Sequence, residues 1–246
     1  MFKQKNIRTG KIFYSDLIPE LEHFFTTRET VLRSKEGIDS IVNDNIKAVC
    51  EYLNVSEQDL ISPSQTHSTN IAFAKESITE YPDTDSLILT NSKQVVYLNF
   101  ADCVPVILYD KKNNIGAVAH AGWRGTVGQI VQKTIIKMIE YKDTKPENIY
   151  AVIGPAIGAC CYNVGEEVVE GVKNSVKDYT KLFRYDGENT YVDLKLTNQQ
   201  QLLEIGVPEK NIDICPYCTS CNNNLFFSYR KENGTTSRHS AVIKLF

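Results

Sequence analysis

In the segment HAGWRG, His120 and Arg124 stand in glycine-rich backbone between the apolar run IGAVA and the helix-spaced stretch TVGQIVQKTIIKMIEY. A histidine at a strand end can bind a metal ion or carry a proton, and an arginine beside a helix start can hold an anion. The runs VPVILYD and IGAVAHA, separated by KKNN, predict a hairpin whose opposing residue numbers sum to about 225 for a short even loop. His120 then faces Pro105, and Cys103 is its diagonal neighbour on the same face, roughly 7–8 Å away at the backbone. Two side chains so placed can share a metal ion or a proton, and a slip of one residue would part them. Asp102, directly before Cys103, is a candidate to orient a metal ligand or accept a proton.

A third donor is His67, in the polar stretch LISPSQTHSTN, which has no apolar periodicity. Two histidines and one cysteine make a zinc site with an open fourth position, although the three residues are far apart in sequence. Thr126 and Gln129 are spaced as a capping box, so a helix is expected to start at Thr126, with free N–H groups and Arg124 favouring an anion. Arg28 and Arg238 are further anion candidates. GPAIGACCYNVG reads as a pocket wall on which Tyr162 either stacks on a flat ligand or simply packs. Each of these residues also has a plain structural role open to it: a small buried apolar group for Cys103, an ion pair for Arg124, packing for Trp123. In CPYCTSC, Cys215, Cys218 and Cys221 have the spacing of part of an iron–sulfur or zinc motif. A fourth ligand would have to come from Cys160 or Cys161, and incidental thiols are the preferred reading.

The elements that must position these groups follow from pattern. The chain has 246 residues, 42% apolar and 23% charged, enough to bury a core. The net charge of −3 without a basic stretch argues against a nucleic-acid partner. The start, MFKQKNIRTG, has no apolar leader core, and no run approaches the ~20 apolar residues of a membrane span. Seven unevenly spaced cysteines suit reduced thiols in a cytoplasm. IDSIVNDNIKAVCEYLNV places Ile38, Ile41, Val42, Ile46, Val49 and Leu53 at helical spacing, and EEVVEGVKNSV and LTNQQQLLEIGV read as further helices. QVVYLNF and NIYAVIGP read as strands, and LFFSYRKENGTTSRHSAVIKLF as a C-terminal strand pair turning near KENG. Strands and helices do not alternate cleanly. The expected fold is therefore α+β, one domain over residues 1–246 with a mixed sheet and flanking helices, as a monomer or small homo-oligomer.

The motifs SQTHS, ADCVPV, HAGWRG, IGPAIGACCYNVGEEV and FFSYR resemble those of the multicopper polyphenol oxidase-like, or laccase-domain, family, also called YfiH/YlmD-like. The matches run from about Phe24 to Ile243, and the fold implied is related to that of a bacterial toxin deamidase. The resemblance implies zinc held by His67, Cys103 and His120. It also implies purine nucleosides and phosphate as substrates: phosphorolysis of adenosine, inosine and methylthioadenosine, and deamination of adenosine. Members are also described as peptidoglycan editing factors. Three positions depart from the family pattern. TTRETVLRS keeps Arg28 without the usual glycine pair, Asn45-Ile46 replaces Asn-Arg, and Asn163 replaces a glutamate. The metal ligands are untouched by these changes, which bear instead on substrate or phosphate contacts.

An open zinc position would activate water for attack at the purine C6, and Arg124 with the helix start would hold phosphate near the ribose C1′. Four histidines and no H-x-H pair are too few for a multicopper oxidase. Two rival readings remain: a metal-free thiol hydrolase or deamidase with Cys103 as nucleophile and His120 as base, and a noncatalytic binding or assembly factor.

Overall fold

VPVILYD and IGAVAHA have no polar face, and every residue of both strands is buried. Strands of that kind need cover on two sides, and the architecture supplies it. A computed structural model describes residues 1–33 and 40–246, so Ile38 of the first expected helix lies outside the described residues. Elements are numbered along the chain. One six-stranded sheet has the order β1 (Phe2–Ile7), β2 (Gly10–Ser15), β3 (Leu21–Thr26), β15 (His239–Leu245), β7 (Val95–Phe100), β4 (Leu60–Ile61). A second has the order β14 (Ile212–Ile214), β10 (Ile149–Ile153), β8 (Val104–Asp110), β9 (Ile115–Ala121), β6 (Ser86–Leu89), β5 (Ile71–Phe73). A small third sheet joins β11 (Asn163–Val164), β13 (Asn189–Val192) and β12 (Phe183–Asp186). The helices are α1 (Ser40–Leu53), α2 (Trp123–Val127), α3 (Ile130–Lys142), α4 (Glu166–Ser175) and α5 (Leu194–Glu204).

The two large sheets are mixed and pack face to face. Leu98, Phe100, Ala241 and Ile243 of the first meet Leu87, Ile107, Val118 and Val152 of the second. The far face of the second sheet, with Val106, Leu108, Ala117 and Ala119, is covered by Ile130, Ile135 and Met138 of α3 and by residues of α4 and α5. Val49 and Leu53 of α1 cover Phe24 and Val242 on the far face of the first. The result is a single-domain α+β fold in four layers, as expected in class, with the mixed sheet doubled.

The β8–β9 hairpin has the expected register: Pro105 faces His120, and each pair from Val104–Ala121 to Asp110–Ile115 keeps it. The turn is held by the Asp110 carboxylate, which accepts from the N–H groups of Lys112 and Asn113 at 3.0 and 3.1 Å. Asn114 takes the left-handed conformation that closes it, φ 52°.

Three expectations are corrected. The helix after His120 starts at Trp123, not Thr126, with Gly122 as its cap, and ends at Gly128. Left-handed Gln129 then opens α3 as a separate helix, and its side-chain amide donates to the Ser175 carbonyl instead of closing a capping box. In α1, Ile41 is 65% exposed while Asn45 is buried, because the Asn45 amide donates to the Val31 carbonyl at 3.1 Å and pins that face inward. The C-terminal segment forms one strand, β15, paired on both sides by β3 and β7. With both its edges taken, no place is left for a hairpin partner from LFFSYR. Among the described residues, no helix is long and apolar enough to cross a membrane.

Candidate active site

The chain delivers three donors to one point from strand ends and one link. Cys103 lies in the short turn between β7 and β8, His120 near the end of β9, and His67 between β4 and β5. Their ligand atoms lie within 4.8 Å of one another, and the two imidazole rings meet edge to face with centroids 4.8 Å apart. His67 and Asp102 hold left-handed backbone, φ 66° and 82°, which costs a non-glycine residue about 1–3 kcal/mol unless its surroundings fix it. They do. The Asp102 carbonyl accepts from the Ile157 N–H at 3.0 Å. Its carboxylate accepts from the Thr219 hydroxyl at 2.6 Å and the Arg230 N–H at 2.7 Å. Gln65, two residues before His67, exchanges two hydrogen bonds with the Asn99 backbone.

The glycine of HAGWRG has a specific use here. A Cβ at Gly122 would stand 3.0 Å from the Cys103 sulfur and 3.1 Å from His67 Cδ2, so any side chain there presses on both donors.

Asp85, just ahead of β6 and fully buried, organises the centre. Its Oδ1 accepts from His120 Nδ1 at 2.7 Å and from the His67 N–H at 3.1 Å. Its Oδ2 accepts from the Ser68 N–H and hydroxyl, both at 2.8 Å, and from the Thr66 N–H at 3.1 Å. Fixing Nδ1 in this way leaves Nε2 of His120 as the donor toward Cys103. Burial alone would raise the Asp85 carboxyl, but His120 and these N–H groups hold it well below the usual carboxylate range. Burial would likewise push the Cys103 thiol up, yet the charge and hydrogen bond of His120, then those of His67, bring it down. His120 moves the other way: burial opposes its charge, and Cys103 and Asp85 together raise it.

Above the three donors opens a cavity of about 630 Å³, within the range of small-ligand sites. Asp102, Arg124, Tyr162 and Arg238 line it, as do Trp123, Arg33, Tyr229 and Arg230. The Arg124 guanidinium lies over the Trp123 ring at 4.2 Å, and that of Arg230 over Tyr162 at 5.1 Å. Arg238 donates to the Thr235 and Ser237 carbonyls at 2.6 and 2.8 Å.

Two residues expected at a phosphate site are elsewhere. Thr126 is fully buried, its hydroxyl bonded to the Ala121 carbonyl and to the Asn198 amide. The Arg28 guanidinium is paired with Glu232 at 2.7 Å and lies over the Phe227 ring, outside the cavity lining. Asp102 lies on the wall, but both its oxygens accept hydrogen bonds, and neither partner is a residue of the donor cluster. Asp85, Arg33, Tyr229 and Arg230 were missed by reading the sequence. The only local sign of Asp85 is an acid directly ahead of the apolar run SLIL, and Tyr229-Arg230 sits inside FFSYR.

A sequence model of the family described as multi-copper polyphenol oxidoreductase laccase matches residues 33–246. Purine nucleoside phosphorylase YlmD of Geobacillus stearothermophilus is 34% identical over 213 residues, covering 82% of this chain and 78% of that protein. Adenosine deaminase RL5, from an unknown prokaryotic organism, is 32% identical over 248 residues, with 92% and 94% covered. The crystal structure of YlmD from Geobacillus stearothermophilus superposes with a TM-score of 0.91 at 30% identity, covering 98% of both chains. With a match of this extent and a four-layer fold shared over nearly its whole length, the chain belongs to the multi-copper polyphenol oxidoreductase laccase family.

Proposed function

We propose that the protein is a zinc-dependent purine nucleoside enzyme. It would cleave adenosine, inosine and methylthioadenosine with phosphate to the free base and the (methylthio)ribose 1-phosphate, and deaminate adenosine to inosine. The observation that carries this reading is the convergence of His67, Cys103 and His120 on a cavity lined by four arginines, Arg33, Arg124, Arg230 and Arg238. The names of the relatives YlmD and RL5 support the substrate class. Seven cysteines, all unpaired, support a reducing, cytoplasmic setting.

The donor set suits zinc: one sulfur and two imidazoles, with one imidazole braced by a buried carboxylate. When bound by these three residues, zinc supplies Lewis acidity beside the cavity. The chain's own groups do the rest. Trp123, Tyr162 and Tyr229 offer aromatic faces to the purine. The arginines hold phosphate, the Arg124 guanidinium being exposed and without a side-chain hydrogen bond among the described residues. In phosphorolysis a phosphate oxygen bonds to the ribose C1′ as the bond from C1′ to the purine nitrogen breaks. The electron pair leaves with the base, and the proton that hydrogen phosphate gives up on bonding to C1′ passes through solvent to the base nitrogen. Asp102 acts by position: it fixes the backbone of Arg230 and the turn that presents Cys103.

A second reading rests on one observation, that the Cys103 thiol and the His120 imidazole are hydrogen-bonded to each other. Incubating the purified protein with adenosine, with and without phosphate, separates the two when zinc content is measured alongside. Adenine and ribose 1-phosphate formed only with phosphate, and lost in Cys103→Ala, are expected; inosine marks the deaminase branch. Neither product from a zinc-loaded protein overturns the proposal. Iodoacetamide-sensitive hydrolysis by metal-free protein would establish the rival.

A further inference from the structure

The C-x-x-C-x-x-C run does not act as a unit in the fold. Cys215 is buried and its thiol is pushed up to about 12, chiefly by that burial. Cys218 and Cys221 instead meet both members of the pair Cys160-Cys161, and the four sulfurs lie within 4.8 Å of one another. The preference for incidental thiols gives way to an organised group of four.

Two turns build it. Residues 158–161 close through the Cys161 N–H to the Gly158 carbonyl at 2.9 Å. Residues 218–222 close through the Asn222 N–H to the Cys218 carbonyl at 2.9 Å. A parallel bridge between Ala156 and Cys218 sets the turns side by side. The Cys221 sulfur is 3.5 Å from that of Cys160 and 3.4 Å from that of Cys161, too far for a disulfide, whose S–S bond is about 2 Å. These spacings suit four sulfurs around one ion at a metal–sulfur distance of about 2.3 Å. An iron–sulfur cluster, which interposes its own atoms, would hold the thiolates farther apart.

The backbone favours negative sulfur at Cys218. The Gly158 N–H points at the Cys218 sulfur at 3.3 Å, and the Cys221 N–H adds a second hydrogen bond to it. Arg184 donates to the Ala159 carbonyl at 3.2 Å, bringing a positive charge to the same turn. Without an ion, four thiols crowded together have no stabilising reason to meet at a partly exposed surface.

We propose that Cys160, Cys161, Cys218 and Cys221 form a second metal site, a tetrathiolate that binds one zinc ion and joins the two turns. Binding converts the thiols to thiolates, and their protons pass to water. Tyr162 follows Cys161 directly and Thr219 follows Cys218, so the ion fixes one face of the cavity and the hydroxyl that holds Asp102. The site does not depend on what the cavity binds.

Metal analysis of the whole protein, expressed with added zinc and purified under reducing conditions without chelator, tests this. Two zinc ions per chain are expected, one for each donor group. Cys103→Ala and the double variant Cys160→Ser with Cys221→Ser should each retain one, and their combination almost none. A single ion lost in Cys103→Ala, iron in place of zinc, or a second ion unaffected by the double variant would overturn the site. Cobalt added to the metal-free wild type gives an answer even if a variant fails to fold. A sulfur-to-cobalt absorption several-fold stronger than one thiolate can give is expected, and a one-thiolate spectrum would refute the proposal.

Discussion

The two clusters of donor side chains are built on opposite plans. His67, Cys103 and His120 mix nitrogen with sulfur, and a buried carboxylate, Asp85, aims one of them. They face a cavity, so part of the space around them belongs to a ligand. Cys160, Cys161, Cys218 and Cys221 are all sulfur and come from two turns, and the Cys218 sulfur takes its outer hydrogen bonds from backbone N–H groups. A mixed three-donor set with one side open suits chemistry, whereas four soft donors closed on themselves suit architecture. On the two proposals made above, one chain separates reacting from stapling by the number and kind of its donors.

The sharpest way to break this contrast is at Cys103. Cys103→Ala should lower kcat/KM at least about a thousand-fold, since a metal's Lewis acidity is worth several kcal/mol. Its Tm should stay within a few degrees of wild type, which calorimetry checks. Asp85→Asn should weaken zinc binding at the first centre by about 10–100-fold and leave the thiolate site loaded, as competition with a chromogenic chelator would read. Gly122→Ala, which drives a Cβ to 3.0 Å from the Cys103 sulfur, should lower kcat/KM by roughly tenfold or more through displaced donors; unchanged turnover would mean the donors have slack.

The smallest effect is expected along the segment that links the clusters. Burial alone would raise the Glu232 carboxyl, but Arg28, the Ser228 N–H and Asn223 overcome it and hold the group at about 2 against an ordinary 4.5. A depressed carboxylate adds stability above its unfolded value and loses it as pH falls toward its folded value. Arg28→Met should therefore be less stable than wild type at neutral pH, with the gap narrowing between pH 4.5 and about 2. Urea unfolding across that range measures it, and a gap independent of pH would assign Arg28 a purely packing role on Phe227.

The three-donor centre is more legible in the sequence than the four-sulfur group. A strand period of two and a four-residue loop are local rules, and they suffice to place Cys103 beside His120. Asp85 escaped because its role is created by pairing β6 with β9, which no local pattern encodes. The four-sulfur group was half legible: the spacing in CPYCTSC pointed to Cys215, Cys218 and Cys221 with Cys160 or Cys161 as a fourth, but the Ala156–Cys218 bridge decides which cysteines meet. At Thr126 a local rule misled: the capping spacing was present, but Gly128 and left-handed Gln129 split the helix, and tertiary hydrogen bonds claimed both side chains. The three N-terminal strands carry little alternation, and β1 is largely exposed.

The place of β15 has a consequence for assembly in time. Ala241 is paired with Phe25 on one side and Leu98 on the other, so the last strand of the described chain is the internal seam of its sheet. During synthesis β3 and β7 must wait with bare edges until residues 239–245 leave the ribosome, a long-range closure of the kind that folds slowly. Arg238 reaches the cavity only with that closure. A nascent chain stopped short of it has neither a finished sheet nor a finished cavity wall.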